Sequence, residues 1–198
     1  RQKLVDWSEA KAGDQILDVA TGTGDLALLF KKQVGETGRV IGSDFCKEML
    51  DLAPPKAQKQ NLAIEFQQAD AMDLPFDSNQ FDVVSIAYGI RNVADPAKAV
   101  QEMIRVLKPG GRLMILETGD QQNPIIQKAF QLYFSKIVPW LGKVATGQKQ
   151  AYVYLNQSSL SFPAGKSFCQ WLGEVGDCSD IQFKSLMGGA SFLYRVQV

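Results

Sequence analysis

Along its first two-thirds the chain alternates short apolar runs with stretches whose apolar residues recur at helical spacing. Gln15–Ala20 (QILDVA) is apolar and bounded by Gly13-Asp14 and a glycine-rich turn, so it reads as a strand. Asp25–Gln33 follows as a helix, with its leucines and Phe30 at helical spacing. Arg39–Ser43 is the second strand, and Lys47–Ala53 is a short helix that Pro54-Pro55 should stop. Ile64–Gln68 and the β-branched run Phe81–Ala87 are the third and fourth strands. Pro96–Leu107 is a helix with Asp95 as N-cap and Pro96 at its first position, stopped by Lys108-Pro109-Gly110-Gly111. Arg112–Glu117 is a fifth strand. Strands alternating with helices at this spacing predict an α/β, doubly wound, Rossmann-like and mostly parallel sheet.

The last third breaks the rhythm. Pro124–Leu141 is long and aromatic-rich, Ser167–Val175 reads as a helix, and Ile181–Leu186 and Ser191–Val196 flank Met187-Gly188-Gly189-Ala190 as an antiparallel hairpin. The expectation is a seven-stranded sheet finished by that hairpin, in one domain over residues 1–198, with 119–165 as an insert on the substrate side.

Composition narrows the chemistry. At 198 residues, 45% apolar and 21% charged, the chain has the makeup of one globular domain and not of a disordered or fibrous protein. With 21 basic and 21 acidic residues it lacks the basic excess of a nucleic-acid binder. There is no histidine, which excludes a histidine general base, a Ser-His-Asp triad and a histidine metal site within this sequence; no metal site is expected. Cys46, Cys169 and Cys178 form no CxxC pair and suit free thiols in a reducing, cytoplasmic setting. No apolar run approaches the ~20 residues of a membrane span.

The strongest local signal is the stretch from Asp18 through Ala20, Gly22, Thr23 and Gly24 to Asp25, which leaves a predicted strand and enters a predicted helix. Glycines there permit positive φ and close backbone approach, and the helix start offers unpaired N–H groups. A tight strand-to-helix turn with no ligand uses the same residues. Asp44 ends the second strand, 20 residues after Gly24, where a carboxylate can accept both hydroxyls of a ribose; the plainer role is a helix cap. The expected third glycine of a dinucleotide loop is Ala27, and no GK[ST] follows, so the loop is neither a full dinucleotide fingerprint nor a P-loop. Carboxylates at 18 and 25 would repel a pyrophosphate and suit a ligand with cationic ends, such as S-adenosylmethionine with its ammonium and sulfonium. Asp70-Ala71 follows the third strand, where the carboxylate can accept the adenine amino group and the Ala71 N–H can donate to a ring nitrogen; a turn cap is the alternative. Phe45 can pack on the adenine face or in the core.

Together Asp18-x-Ala20-x-Gly22-x-Gly24, Asp44 and Asp70-Ala71 resemble the motifs of class I S-adenosylmethionine-dependent methyltransferases. Tyr88-Gly89-Ile90-Arg91-Asn92-Val93, the run from Arg105 to Glu117, and the tail pattern with Phe162-Pro163 and Gly188-Gly189-Ala190 resemble the ubiquinone/menaquinone biosynthesis C-methyltransferases of the UbiE/MenG type. That resemblance implies C-methylation of a polyprenylated quinol, with S-adenosylhomocysteine as the other product. It also implies a further segment ahead of this sequence. Ala20 stands where the superfamily has a glycine, Ala87 where a serine is expected among the cofactor-binding residues, and Asp177-Cys178 where Gly-Phe is usual. Arg91 can stabilise a phenolate and Asn92 can bond a quinol oxygen, unless Arg91 is spent on an ion pair with Asp95 or Asp25. The proton acceptor is left open between Asp25, Tyr88, Arg91 through a water, and solvent. Phe130–Leu141 is a candidate cover for an isoprenoid tail or a core helix, and Lys128, Lys136 and Lys143 on it bear on a transient membrane-surface contact. A homodimer is the remaining expectation about partners. A methyltransferase for a sterol or another phenol, and a non-catalytic subunit of the same fold, are the alternatives.

Overall fold

The computed structural model describes residues 1–119, 162–176, 178 and 180–198. One seven-stranded sheet runs in the order β3-β2-β1-β4-β5-β7-β6, with β1 at Gln15–Val19, β2 at Arg39–Asp44, β3 at Glu65–Gln68, β4 at Phe81–Ala87, β5 at Leu107–Thr118, β6 at Asp180–Leu186 and β7 at Ser191–Gln197. The first five strands pair in parallel, whereas β7 pairs antiparallel with both β5 and β6. The doubly wound α/β sheet with its antiparallel hairpin is therefore as the pattern predicts. The central strands are buried on both faces, as parallel strands under helices are. Leu17, Val84, Ile86, Leu113 and Ile115 belong to one core with Phe168 and Leu172 of α6 (Lys166–Val175) and Met103 of α5 (Pro96–Arg105). Ile16, Val83, Met114 and Leu116 belong to the other, with Leu4 of α1 (Gln2–Ser8) and Phe30 of α2 (Asp25–Val34).

Four departures from the sequence expectation go beyond a one-residue shift of an element's end. Pro54-Pro55 do not stop a helix. They lie in the first turn of α4 (Ala53–Lys59), after a separate one-turn α3 (Lys47–Leu50). First-turn N–H groups have no helical partner, so prolines cost nothing there. Helix α1 carries no strong hydrophobic repeat and was not expected. Helix α5 stops at Arg105, two residues early, although Asp95 caps it as expected by accepting the Lys98 N–H at 3.0 Å. Lys108-Pro109-Gly110-Gly111 does not break the chain out of the sheet: Phe81 pairs with Leu107 and Val83 with Arg112, and the intervening residues bulge. The Gly110 N–H, at φ +79°, donates to the Val198 carbonyl at 2.7 Å, so the C-terminus ties the bulge down.

The chain leaves β1 toward β2 and β3 and returns across β1 to β4. The carboxyl ends of β1 and β4 thus flank the point where winding reverses, the usual ligand crevice of such sheets. There the loops after β1 and β4 touch, since a Cβ on Gly89 would stand 2.6 Å from the Ala20 Cβ. Gly89→Ala is expected to push these loops apart, at ~1–3 kcal/mol of overpacking. A lowered melting temperature together with weakened ligand binding checks this; unchanged values for both would show that the loops part freely.

The expected insert over 119–165, including the aromatic stretch Phe130–Leu141 and its lysines, lies outside the described residues except at its ends, as does Asp177. No helix among the described residues is long and apolar enough to cross a membrane.

Candidate active site

Three carboxylates stand at or just beyond the carboxyl ends of adjacent strands: Asp18 in β1, Asp44 in β2 and Asp70 after β3. Asp18 faces no ligand crevice directly. It is 1% exposed and accepts Thr21 Oγ1 at 2.6 Å and Ser85 Oγ at 2.7 Å. Burial pushes its carboxyl up to about 6, although the two hydroxyls pull the other way. Its work is to pin the glycine loop to β4. Thr21 in turn donates its N–H to the Ser43 carbonyl at 2.9 Å.

The loop then turns through positive φ at Ala20 (51°), Gly22 (58°) and Gly24 (79°). Ala20 holds a left-handed conformation that a glycine would take without strain. Gly24 is required for a second reason: its Cβ would meet the Ala53 Cβ at 2.9 Å and Phe66 at 3.2 Å. Asp44 Oδ2 accepts the Gly22 N–H at 2.7 Å and Oδ1 the Cys46 N–H at 2.8 Å. A carboxylate offers about four lone-pair sites, so two acceptors remain for vicinal hydroxyls. Phe45, next to it, is 71% exposed, so the core-packing alternative fails for that ring. Asp70 Oδ1 accepts the Met72 N–H at 2.9 Å and closes a turn, while Ala71 packs half-buried against the core.

These residues fit S-adenosylmethionine. The β1 loop is held open by positive-φ backbone, and a Cβ on Gly22 would have only Met49 Cε near it, at 3.8 Å. The acids flanking the loop suit a ligand carrying an ammonium and a sulfonium, and Asp44 retains the acceptors a ribose needs.

Asp25 and Thr23 are drawn into a contact the sequence reading missed. Lys56 of α4 donates to Asp25 Oδ1 at 2.8 Å and to Thr23 Oγ1 at 2.6 Å. Its signal is hidden in the sequence because Pro54-Pro55 look like the end of a helix and in fact lie in the first turn of one. The Lys56 ammonium holds the Asp25 carboxyl below its ordinary value, which makes Asp25 a weak proton acceptor.

Across the switch point, Tyr88 follows β4 at φ +58°, with its hydroxyl 3.4 Å from Ser191 Oγ. Ala87 is half-buried at the strand end, paired with Leu116. Asn92 is exposed and donates to the Tyr88 carbonyl at 3.4 Å. Arg91 pairs with neither Asp95 nor Asp25. Its Nη1 donates to Glu117 Oε1 and, at 3.2 Å, to Thr118 Oγ1. The side chains of Arg91 and Glu117 are 6% and 2% exposed. Burial raises the Glu117 carboxyl, against the pull of the Arg91 charge. Glu117 closes the apolar run of β5 and was not singled out in the sequence. Its one signal is an acid where the strand pattern calls for another buried residue.

The sequence profile of the ubiE/COQ5 methyltransferase family matches residues 1–196. A ubiquinone/menaquinone biosynthesis C-methyltransferase UbiE of Bdellovibrio bacteriovorus is 50% identical over 195 residues, covering 98% of this chain and 83% of that protein. A demethylmenaquinone methyltransferase of Thermus thermophilus is 42% identical over 176 residues, covering 89% and 80% respectively. Among solved structures, an S-adenosylmethionine-dependent methyltransferase from Aquifex aeolicus has the same fold, with a TM-score of 0.70 at 21% identity over 99% of this chain and 88% of that one. With a family profile spanning nearly all of the sequence and relatives this similar over their own length, the chain belongs to the ubiE/COQ5 methyltransferase family.

Proposed function

We propose that the protein methylates a ring carbon of a polyprenylated quinol, a demethylmenaquinol or a ubiquinol precursor, with S-adenosylmethionine as methyl donor. Family membership makes it an S-adenosylmethionine-dependent C-methyltransferase. The observation that carries the acceptor's chemistry is the buried Arg91–Glu117 pair beside the carboxylate-lined loop, in a chain without histidine. When bound, S-adenosylmethionine supplies an activated methyl group on a sulfonium. The residues do the rest. Asp44 receives the ribose hydroxyls, Asp70 and Ala71 the adenine edge, and Phe45 its face. Gly22 and Gly24 let the backbone approach, and Asp18 fixes the loop and adds negative potential. Arg91 stabilises the phenolate that makes the ring carbon nucleophilic, and Asn92 orients a quinol oxygen. A polyprenyl tail partitions into lipid, which supports a reaction at a membrane surface.

Incubation with a short-tailed demethylmenaquinol, kept reduced, and methyl-labelled donor is expected to label a ring carbon. Labelling of a sterol or simple phenol, but not of the quinol, would overturn the reading. Asp44→Ala is expected to weaken donor binding roughly tenfold or more, because each hydrogen bond to a charged acceptor is worth about 1.5–3 kcal/mol. Titration calorimetry measures this directly; wild-type affinity in the variant would remove Asp44 from the ribose.

A further inference from the structure

All the partners of Glu117 converge on one oxygen. Oε1 accepts from Arg91 Nη1, from the Thr118 N–H at 2.7 Å and from Thr118 Oγ1 at 3.2 Å. Among the described residues neither the buried Oε2 nor the buried Arg91 Nε has a partner. Among the described residues four buried side-chain polar atoms lack a partner, and this single ion pair holds two of them. Buried polar atoms in folded proteins are nearly always satisfied, so such a concentration calls for an explanation. An orphaned acceptor and an orphaned donor on one ion pair complement a group that donates and accepts at once. A hydroxyl does both; a carboxylate or an ammonium does not. Arg91 lies in the 3₁₀ turn Ile90–Asn92 just past β4, and Glu117 is the penultimate residue of β5. The pair therefore lies at the strand ends where ligands bind in this fold.

We propose that Glu117 is the proton acceptor for the substrate's ring hydroxyl, which donates to Oε2 while accepting from Arg91 Nε. This rests on the phenolic substrate proposed above. The hydroxyl O–H bond breaks, its electron pair stays on the quinol oxygen, and the proton bonds to Oε2. Arg91 then exchanges one counter-ion for another, the carboxylate for the phenolate. The buried site keeps the same net charge before and after, so no isolated charge is created out of water. Arg91 itself cannot take the proton, since a guanidinium carries no free lone pair at working pH. Asp25 is a poor rival, held by Lys56. Neither orphan atom is open to water, so the hydroxyl reaches them only as neighbouring side chains yield, and water stays excluded from the proton transfer. Once the carbon is methylated, its ring C–H bond breaks and that proton leaves to solvent, while the proton on Oε2 returns to the quinol oxygen, which restores both the aromatic quinol and the free carboxylate.

The test uses the whole protein and 1-naphthol, a tail-less phenol whose ionised form absorbs at longer wavelength than its neutral form. Absorbance reports whether bound naphthol is ionised, and calorimetry in buffers of different ionisation enthalpy counts the protons released. The expected result at pH 7 is ionised naphthol with no proton released, because Glu117 keeps it. Ionised naphthol with one proton released overturns the proposal, as does naphthol bound neutral or not at all. In Glu117→Gln, which keeps the shape and an oxygen for Arg91, bound naphthol is expected to stay neutral and kcat to fall ~10²-fold or more, with donor affinity unchanged. Wild-type turnover in that variant also overturns it. Labelling of the short-tailed quinol by the same wild-type preparation keeps the two questions apart: a labelled quinol with a failed naphthol result rejects Glu117 as acceptor and leaves the substrate reading standing.

Discussion

Arg91→Ala is expected to lower kcat by ~10²–10³ and the melting temperature by on the order of 10 °C, and replacing Glu117 as well is expected to restore the second and not the first. The catalytic loss arises because, without the guanidinium to hold a phenolate, the bound ring hydroxyl stays neutral and the ring carbon is not activated. It should therefore fall on kcat more than on KM, with Arg91→Lys intermediate because lysine keeps the charge without the fork of donors. The stability loss has a separate origin. Arg91→Ala leaves the Glu117 carboxylate buried and unpaired, and breaking one side of a buried pair costs ~3–5 kcal/mol. In a domain of this size each kcal/mol moves the melting temperature by about 2–4 °C. Arg91→Met with Glu117→Leu replaces both charges by apolar volume and removes that penalty. A double variant that unfolds like wild type and remains inactive is the expected outcome. One that recovers turnover would make the pair structural and return proton abstraction to Tyr88 or solvent.

The strands and their mostly parallel direction were legible because two-faced burial writes continuous apolar runs such as Phe81–Ala87, and because the glycine loop punctuates them. Element ends were less legible where two rules compete. Pro54-Pro55 end a helix or begin one according to which side of them is helical, and here they fall in the first turn of α4. Lys108–Gly111 looks like a break until the carboxyl terminus closes on Gly110 and Gly111. In the site, Asp44 and Arg91 were visible as types at strand ends, but their partners were not. Glu117 lies 26 residues from Arg91, and Lys56 lies 31 from Asp25. A single sequence carries local periodicity and motif spacing; it carries no signal for an ion pair closed across a sheet. Ser85 was likewise hidden, a polar residue in an apolar strand that is explained only by Asp18 opposite it in the β1–β4 register.

Asp18→Asn is expected to stabilise the protein at neutral pH and to weaken its grip on the methyl donor. The folded-state carboxyl titrates at about 6 against an ordinary 3.8, because burial disfavours the charge. A raised pKa means that the folded protein holds a proton the unfolded chain has already lost. Below pH 3.8 both states are protonated and Asp18 costs nothing. Between there and about pH 6 stability falls as pH rises, and above it the full cost persists. At 1.36 kcal/mol per pH unit that cost is about 3 kcal/mol. Asparagine can still bond Thr21 and Ser85 through its amide without carrying charge, so its melting temperature should exceed wild type at pH 7.5 and match it near pH 4. Donor affinity is expected to move the other way, because Asp18 stands at the β1 end of the glycine loop and its negative charge attracts a cationic ligand. Losing that attraction should weaken donor binding roughly tenfold, about 1.4 kcal/mol. Thermal unfolding across pH 4–8 and calorimetric titration with S-adenosylmethionine at pH 7.5 measure the two effects on the same protein. A variant less stable than wild type at pH 7.5 would mean that Thr21 and Ser85 fully compensate the buried charge. Unchanged donor affinity would mean that Asp18 only holds the loop in place.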